Sequence, residues 1–320
     1  MERFKLFRDF FTSFLCIAIA ILLIHAVEYL KLQNIKGPVS LTRLEKTKEI
    51  VKLLPEKRDG VNIPQLSAKS FFSIYKPTGE NISIVLAEKN PDNILPIASV
   101  TKLMTALVAY DYYKNDDVIK IPTEALLSRG IYRIFKEGNY FIFSDLVKTM
   151  LTQSNNDIAR IFSYMIGDEK FITSMNKKAK DLNMSETLYT NPTGLDPANT
   201  TILPNHSTAR DLSTLAFYLI SNKKEIFDNT LFNEFTLSNP KIGYNYIATT
   251  TNELLNWKEN PFKIVGGKTG WTDLAKRNLL LVIEAPNKKG YIVNVILSAD
   301  DNFSDMKSLL NYIYQAYGWK

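Results

Sequence analysis

The sequence predicts an α/β protein of the α+β kind: one antiparallel sheet formed by N- and C-terminal strands, with a mainly helical lobe inserted between them. Three observations carry this. β-rich runs stand at both ends of the region after residue 63, a block of helix-like segments separates them, and the early runs have no local partner beyond their own hairpin. The early strands must therefore pair with the late ones. A cleft between sheet and lobe is where a site is expected.

In chain order, "AKSFFSIYKPTGENISIVLAEKN" gives two β-rich runs around the turn signal Pro77-Thr78-Gly79. Residues 99 to 114 read as a helix, because Leu103, Leu107 and Tyr110 recur at i, i+4 and i+7. "FSDLVKTMLTQ" reads as a second helix capped by Ser144, and "DIARIFSYMIG" as a third ending at Gly167. "DEKFITSMNKKAKDLN" is a fourth, and "STARDLSTLAFYLISN" a fifth, capped by Ser207 or Thr208. Then "KIVGGKTGWT", "RNLLLVIEAP" and "YIVNVILSAD" turn β-rich, and "FSDMKSLLNYIYQAYG" closes as a helix.

The N-terminus reads differently. Arg3, Lys5 and Arg8 precede an apolar run over residues 10–27, and basic residues before such a run place it as a membrane anchor with the remainder outside the cytoplasm. Cleavage as a signal is the alternative, but Ile24 stands where a small residue is needed. Residues 31–62, lysine-rich and broken by Pro38 and Pro55, read as a spacer. The expected organisation is 1–30 basic flank and anchor, 31–62 spacer and 63–320 catalytic domain.

Composition narrows the chemistry. A net charge of +6 over 320 residues, with scattered lysines, argues against a nucleic-acid partner. The single cysteine, Cys16, allows neither an internal disulfide nor a thiolate zinc site, and neither metal nor cofactor is expected. There are two histidines, His25 and His206, so a Ser-His-Asp triad would rest on His206 alone. A hydrolase here needs a different base.

Ser-x-x-Lys occurs six times and means nothing alone. Taken singly, Ser99 is a helix-start serine, Ser154 a loop serine and Lys268-Thr269-Gly270 a strand end. The information lies in the ordered set: Ser99-Val-Thr-Lys102 opening a helix, Ser154-Asn155-Asn156 between two helices, Lys268-Thr269-Gly270 on a late strand. A serine hydroxyl needs a base before it attacks. Lys102 shares its helix face and can reach it. To be neutral, its amine must fall about three pKa units, roughly 4 kcal/mol of differential destabilisation. Burial, the helix N-terminus and a second ammonium, Lys268, are the available causes. Ser154 suits a proton relay to the leaving amine, and Asn156 suits the lysine environment and the substrate carbonyl. Thr269 and Gly270 offer a strand edge to a peptide. The backbone N–H groups of Ser99 and Trp271 suit an oxyanion hole.

From about Pro64 onward the chain resembles the low-molecular-mass penicillin-binding proteins of the D-alanyl-D-alanine carboxypeptidase type. The blocks that carry the resemblance are "LPIASVTKLMTALVAYD", "LTQSNNDIARIF", "LNMSETLYTNPTGLD" with "HSTARDLSTLAFYLI", "TNELLNW" and "GGKTGWT". The resemblance implies a β-lactamase/transpeptidase-like fold, a peptidoglycan stem peptide ending in D-Ala-D-Ala as substrate, and β-lactams as covalent inhibitors. Two departures stand out. Thr251 occupies the place of a carboxylate-binding arginine that some members carry, and Ala275-Lys276, followed by Arg277, replaces the usual Ala-Gly. A cross-link endopeptidase would use the same residues. A serine β-lactamase would need a deacylating carboxylate, for which Glu186 is the candidate, with Thr190 where an asparagine is expected. A non-catalytic wall-binding relative is a further alternative.

Overall fold

A computed structural model describes residues 53–122, 135, 139–239 and 243–319. The expected anchor at residues 10–27 and most of the expected spacer lie outside them. Among the described residues no helix is long and apolar enough to cross a membrane.

The described chain starts with a two-residue strand, β1 (Glu56–Lys57), then the expected hairpin of β2 (Ser70–Pro77) and β3 (Ile84–Lys89). Gly79 turns it at φ +78°, a region glycine enters without steric cost. Strand β4 (Leu95–Pro96) leads into a 3-10 turn, Ala98–Thr101, and helix α1 (Lys102–Tyr112). The lobe continues through β5 (Val118–Lys120), β6 (Tyr140–Ile142), α2 (Phe143–Gln153), α3 (Asn156–Ile166) and α4 (Asp168–Asp181). Next come β7 (His206–Ser207), α5 (Ala209–Asn222), α6 (Lys224–Asp228) and the hairpin β8 (Glu234–Asn239) and β9 (Tyr244–Thr249). The late strands are β10 (Ile264–Thr272), β11 (Lys276–Glu284) and β12 (Gly290–Ala299), followed by α7 (Asn302–Ala316) and β13 (Tyr317–Gly318).

Early and late strands do pair. The sheet order is β10-β11-β12-β2-β3, antiparallel throughout. Both of its faces are buried. Val293, Val295 and Leu297 of β12, with Leu280 and Val282 of β11, pack on the helical lobe. Ile292, Ile296, Leu279, Leu281 and Ile283 pack on α7 through Leu309, Leu310 and Ile313. Two apolar faces explain why "NLLLVI" is a continuous apolar run rather than an alternating one. Register is fixed by polarity within that grease. Ser73 lies directly opposite Asn294, and its hydroxyl donates to Asn294 Oδ1 at 2.8 Å, both fully buried. A one-residue slip would strand both groups without partners.

Three sequence expectations are corrected, and one hairpin appears that the sequence did not suggest. Ser144 does not cap α2. The helix begins at Phe143, and the amides of Phe143 and Ser144 donate to the Asp117 and Asn115 carbonyls, so the preceding loop does the capping. Thr208, by contrast, does cap α5, accepting from Asp211 N. The helix expected from residue 99 is a 3-10 turn before it becomes α-helical at Lys102. The hairpin over 234–249 was not expected from the sequence. Finally, the end of the expected spacer belongs to the body: β1 pairs with β13, and Arg58 N donates to Ala316 O at 2.7 Å. The unit that contains the sheet begins at Leu53, not at 63.

Asp305 on α7 fastens the segment leading into β2. Its buried carboxylate accepts from Ser67 N, Ser67 Oγ and Ala68 N at 3.0, 2.8 and 2.8 Å. Asp305→Ala leaves these donors unmatched, one of them a buried amide. It is expected to lower the unfolding free energy by about 2 kcal/mol, read from urea denaturation with an unchanged m-value.

Candidate active site

Ser99 lies inside the 3-10 turn, and Lys102 is the first residue of α1. In a 3-10 turn, side chains three apart eclipse each other. The Lys102 amine accordingly lies 2.8 Å from Ser99 Oγ. The turn is under backbone strain: Ala98, directly before the serine, has φ +45° and is buried.

Lys102 is fully buried. Besides Ser99 Oγ, its amine meets Asn156 Oδ1 and the Thr193 carbonyl, both at 2.7 Å. Those two oxygens can only accept. A neutral amine has two N–H bonds and one lone pair. With both N–H groups spent on Asn156 and Thr193, the lone pair faces the Ser99 hydroxyl, which can donate to it. Burial, and then the charge of Lys268, push the Lys102 amine well below the ordinary lysine value. Both were expected causes.

The second motif divides its labour. Ser154 ends α2 in the left-handed region at φ +62°. Asn155 is structural, since its side chain accepts from Ile158 N and caps α3. Asn156 opens α3, and its Oδ1 accepts from Lys102 instead of donating to it. This leaves the Nδ2 group as the donor available to a substrate carbonyl.

Lys268 comes from β10 and is buried. Its amine donates to Ser154 Oγ and to the Thr269 carbonyl, each at 2.9 Å. Burial lowers it to about 7. The second ammonium named from the sequence thus loses part of its charge near neutrality.

β10 is the sheet edge and packs directly on the turn that carries Ser99. A Cβ on Gly270 would fall 2.8 Å from Ile97 O and 3.0 Å from Ser99 N. The glycine is therefore required by the turn itself, in addition to any peptide along the strand. Thr269 Oγ1 lies 2.6 Å from Thr251 Oγ1, so two hydroxyls stand where a guanidinium was the alternative. Trp271 is 60% exposed, and only its backbone can serve an oxyanion hole. Lys276 and Arg277 are exposed on β11, opposite Thr272 and Trp271.

Glu186 does not join the site. It is exposed beside Ser185, and Thr190 is tied to Asn205 and Leu203. The sequence reading missed the loop that delivers the Thr193 carbonyl. It also missed Asp196, which accepts from Thr272 Oγ1 and Leu274 N at 2.8 and 3.1 Å and braces the end of β10. The signal was present in "NPTGLD": Gly194 has φ +81°, and a Cβ there would fall 2.0 Å from Ala98 O.

Residues 57–301 match the family described as D-alanyl-D-alanine carboxypeptidase. The chain is 34% identical over 213 residues to a D-alanyl-D-alanine endopeptidase of Pseudomonas aeruginosa, covering 64% of each. It is 30% identical to the D-alanyl-D-alanine carboxypeptidase DacC of Escherichia coli, over 80% of this chain and 64% of the relative. It thus spans just under two thirds of the length of these two curated relatives. Among solved structures, penicillin-binding protein D2 of Listeria monocytogenes in its ampicillin-bound form superposes with a TM-score of 0.65 at 28% identity, covering 78% of this chain and 98% of that one.

Two outcomes are expected from this geometry. Gly270→Ala drives β10 off the Ser99 turn, and a displacement of about 1 Å should slow acylation about 100-fold, measured with a chromogenic β-lactam on protein whose circular dichroism is unchanged. The second concerns stability. Lys268 titrates at about 7 in the fold, against 10.5 when unperturbed. Between those values the unfolded chain holds a proton that the folded site has shed, so stability rises with pH from about 7 to about 10. Lys102 adds in the same sense. Lys268→Met should be more stable than the parent at pH 7 and show a flatter rise above it, read from urea midpoints across pH.

Proposed function

Because the chain belongs to the D-alanyl-D-alanine carboxypeptidase family, we propose that it is a serine peptidase that removes the terminal D-Ala from peptidoglycan stem peptides. The observation that carries this is the buried Lys102 amine, held 2.8 Å from Ser99 Oγ by two obligate acceptors.

In this reading Ser99 Oγ attacks the carbonyl of the D-Ala-D-Ala bond while Lys102 takes its proton. The backbone N–H groups of Ser99 and Trp271 receive the oxyanion. Ser154, bonded to Lys268, relays a proton to the departing amine. Lys268, with Thr269 and Thr251, meets the terminal carboxylate, and that anion draws the Lys268 amine back towards its charged form. Water then attacks the acyl-enzyme with Lys102 again as base, freeing Ser99. β-Lactams acylate the same serine and hold it; the Listeria relative, solved with ampicillin bound, supports a β-lactam as ligand here.

The endopeptidase alternative is favoured by two relatives, the D-alanyl-D-alanine endopeptidases of Pseudomonas aeruginosa and of Escherichia coli, the latter 31% identical over 73% of this chain. Product analysis separates the two reactions: free D-Ala from a stem pentapeptide marks the carboxypeptidase, monomers from a cross-linked dimer mark the endopeptidase. The substrate's location puts the body outside the cytoplasmic membrane. Arg3, Lys5 and Arg8 before the apolar run at residues 10–27 support an N-terminal tether. Recovery in a salt-washed soluble fraction would instead indicate cleavage.

Ser99→Ala is expected to abolish labelling by fluorescent penicillin in folded protein. Lys102→Arg should lose about 1,000-fold or more of the acylation rate, since a guanidinium cannot act as a base, whereas Lys268→Arg should keep partial activity. Across pH, the rate should trace a bell whose limbs belong to the coupled lysine pair. Equal losses in the two arginine variants would overturn the division of roles.

A further inference from the structure

The Lys102 amine depends on a loop that carries no reacting group. Residues Thr190–Gly194 lie against the nucleophile turn and α1. Thr105 Oγ1 donates to Pro192 O at 2.6 Å, Lys102 donates to Thr193 O, and Gly194 leaves no space for a Cβ against Ala98. Two asparagines hold this loop. Asn191 Oδ1 accepts from Thr193 N, Thr193 Oγ1 and Gly194 N at 3.0, 2.8 and 2.8 Å. Asn205, 1% exposed, accepts through Oδ1 from Thr190 N, Thr190 Oγ1 and Asn191 N. Its Nδ2 donates to Asn191 O at 2.8 Å and to Thr101 Oγ1 at 3.0 Å, and its carbonyl accepts from Ile97 N. Asn205 thus joins the loop to the residues on both sides of Ser99, to Thr101 through its side-chain amide and to Ile97 through its main-chain carbonyl.

We propose that Asn191 and Asn205 form a positioning clamp for the acylation step: they fix the Thr193 carbonyl, and through it the direction of the Lys102 lone pair, with no contact to substrate. The inference rests on Lys102 being the base. The argument is one of direction. An amine on a four-carbon stem can swing, and Asn156 alone fixes one N–H. A second acceptor from an independent segment fixes the other, and only then is the lone pair forced onto Ser99 Oγ. Aspartate at 205 could not do this, because it lacks the two N–H donors that reach Thr101 and Asn191.

The test uses the full chain and separates noncovalent affinity from the acylation rate constant with a chromogenic β-lactam. Asn191→Ala, on a partly exposed residue, is the primary variant, with Asn205→Ala beside it if it folds. The acylation rate constant is expected to fall about 10- to 100-fold with affinity unchanged to within about twofold. In a Lys102→Ala background the same change should add no loss beyond about twofold, because the clamp acts only through that amine. An unchanged rate constant, a loss in affinity, or equal losses in both backgrounds overturns the clamp. Should the parent chain not be acylated at all, the hydrolase reading fails on that arm alone. The clamp is then decided by the nuclear magnetic resonance signal of Lys102 Cε, which Asn191→Ala must move while that of Lys268 stays in place. An unmoved Lys102 signal overturns it.

Discussion

A lysine amine sealed from water beside a serine hydroxyl is the constraint on which the rest of this molecule depends. Burying the amine removes its hydration, so each N–H must find a protein oxygen and the charge must be given up. The oxygens come from α3 and from the loop after α4, the hydroxyl from the turn before α1, and the neighbouring cation from β10. No local stretch of chain could assemble this set. The sheet and the lobe have to dock in one geometry, and the site exists only where they meet.

That docking is held tightest around the Ser99 turn, which is wedged between two glycines. Gly194 presses on Ala98 from the lobe and Gly270 presses on Ile97 and Ser99 from the sheet. Neither approach tolerates a Cβ. The positive φ at Ala98 is what such a wedge imposes on a residue that would otherwise avoid it. Behind β10, a sheet buried on both faces gives the strand a rigid backing, so position in the site is inherited from the core rather than from the loops.

How much of this was legible in the sequence follows from which atoms act. In the proposed reaction Ser99, Lys102, Ser154, Asn156 and Lys268 act through side chains, and their residue types and spacing announced them. Thr193 acts through its backbone carbonyl, which any residue could supply, so no residue type could mark it; only the glycine beside it left a trace. Ser144 illustrates the opposite failure. A serine at the right place promised a cap, but nearby carbonyls of Asn115 and Asp117 took the amides first, and local propensity lost to tertiary contacts. The sheet was readable because its strands are long and apolar. The hairpin over 234–249 was not, because "EFTLSN" offers only two apolar side chains to mark a strand.

The pairing of β1 with β13 brings the first and last described strands side by side, Glu56 opposite Gly318. Its consequence is mechanical. A pull that separates the two ends of the body meets a junction only two residues wide on each side, with the Arg58 contacts behind it. The seam is nevertheless fastened to the sheet, because Tyr317 of β13 is buried and its hydroxyl donates to Leu86 O of β3 at 2.7 Å. A load on either end therefore arrives first at β3, the edge of the sheet opposite β10 and Lys268.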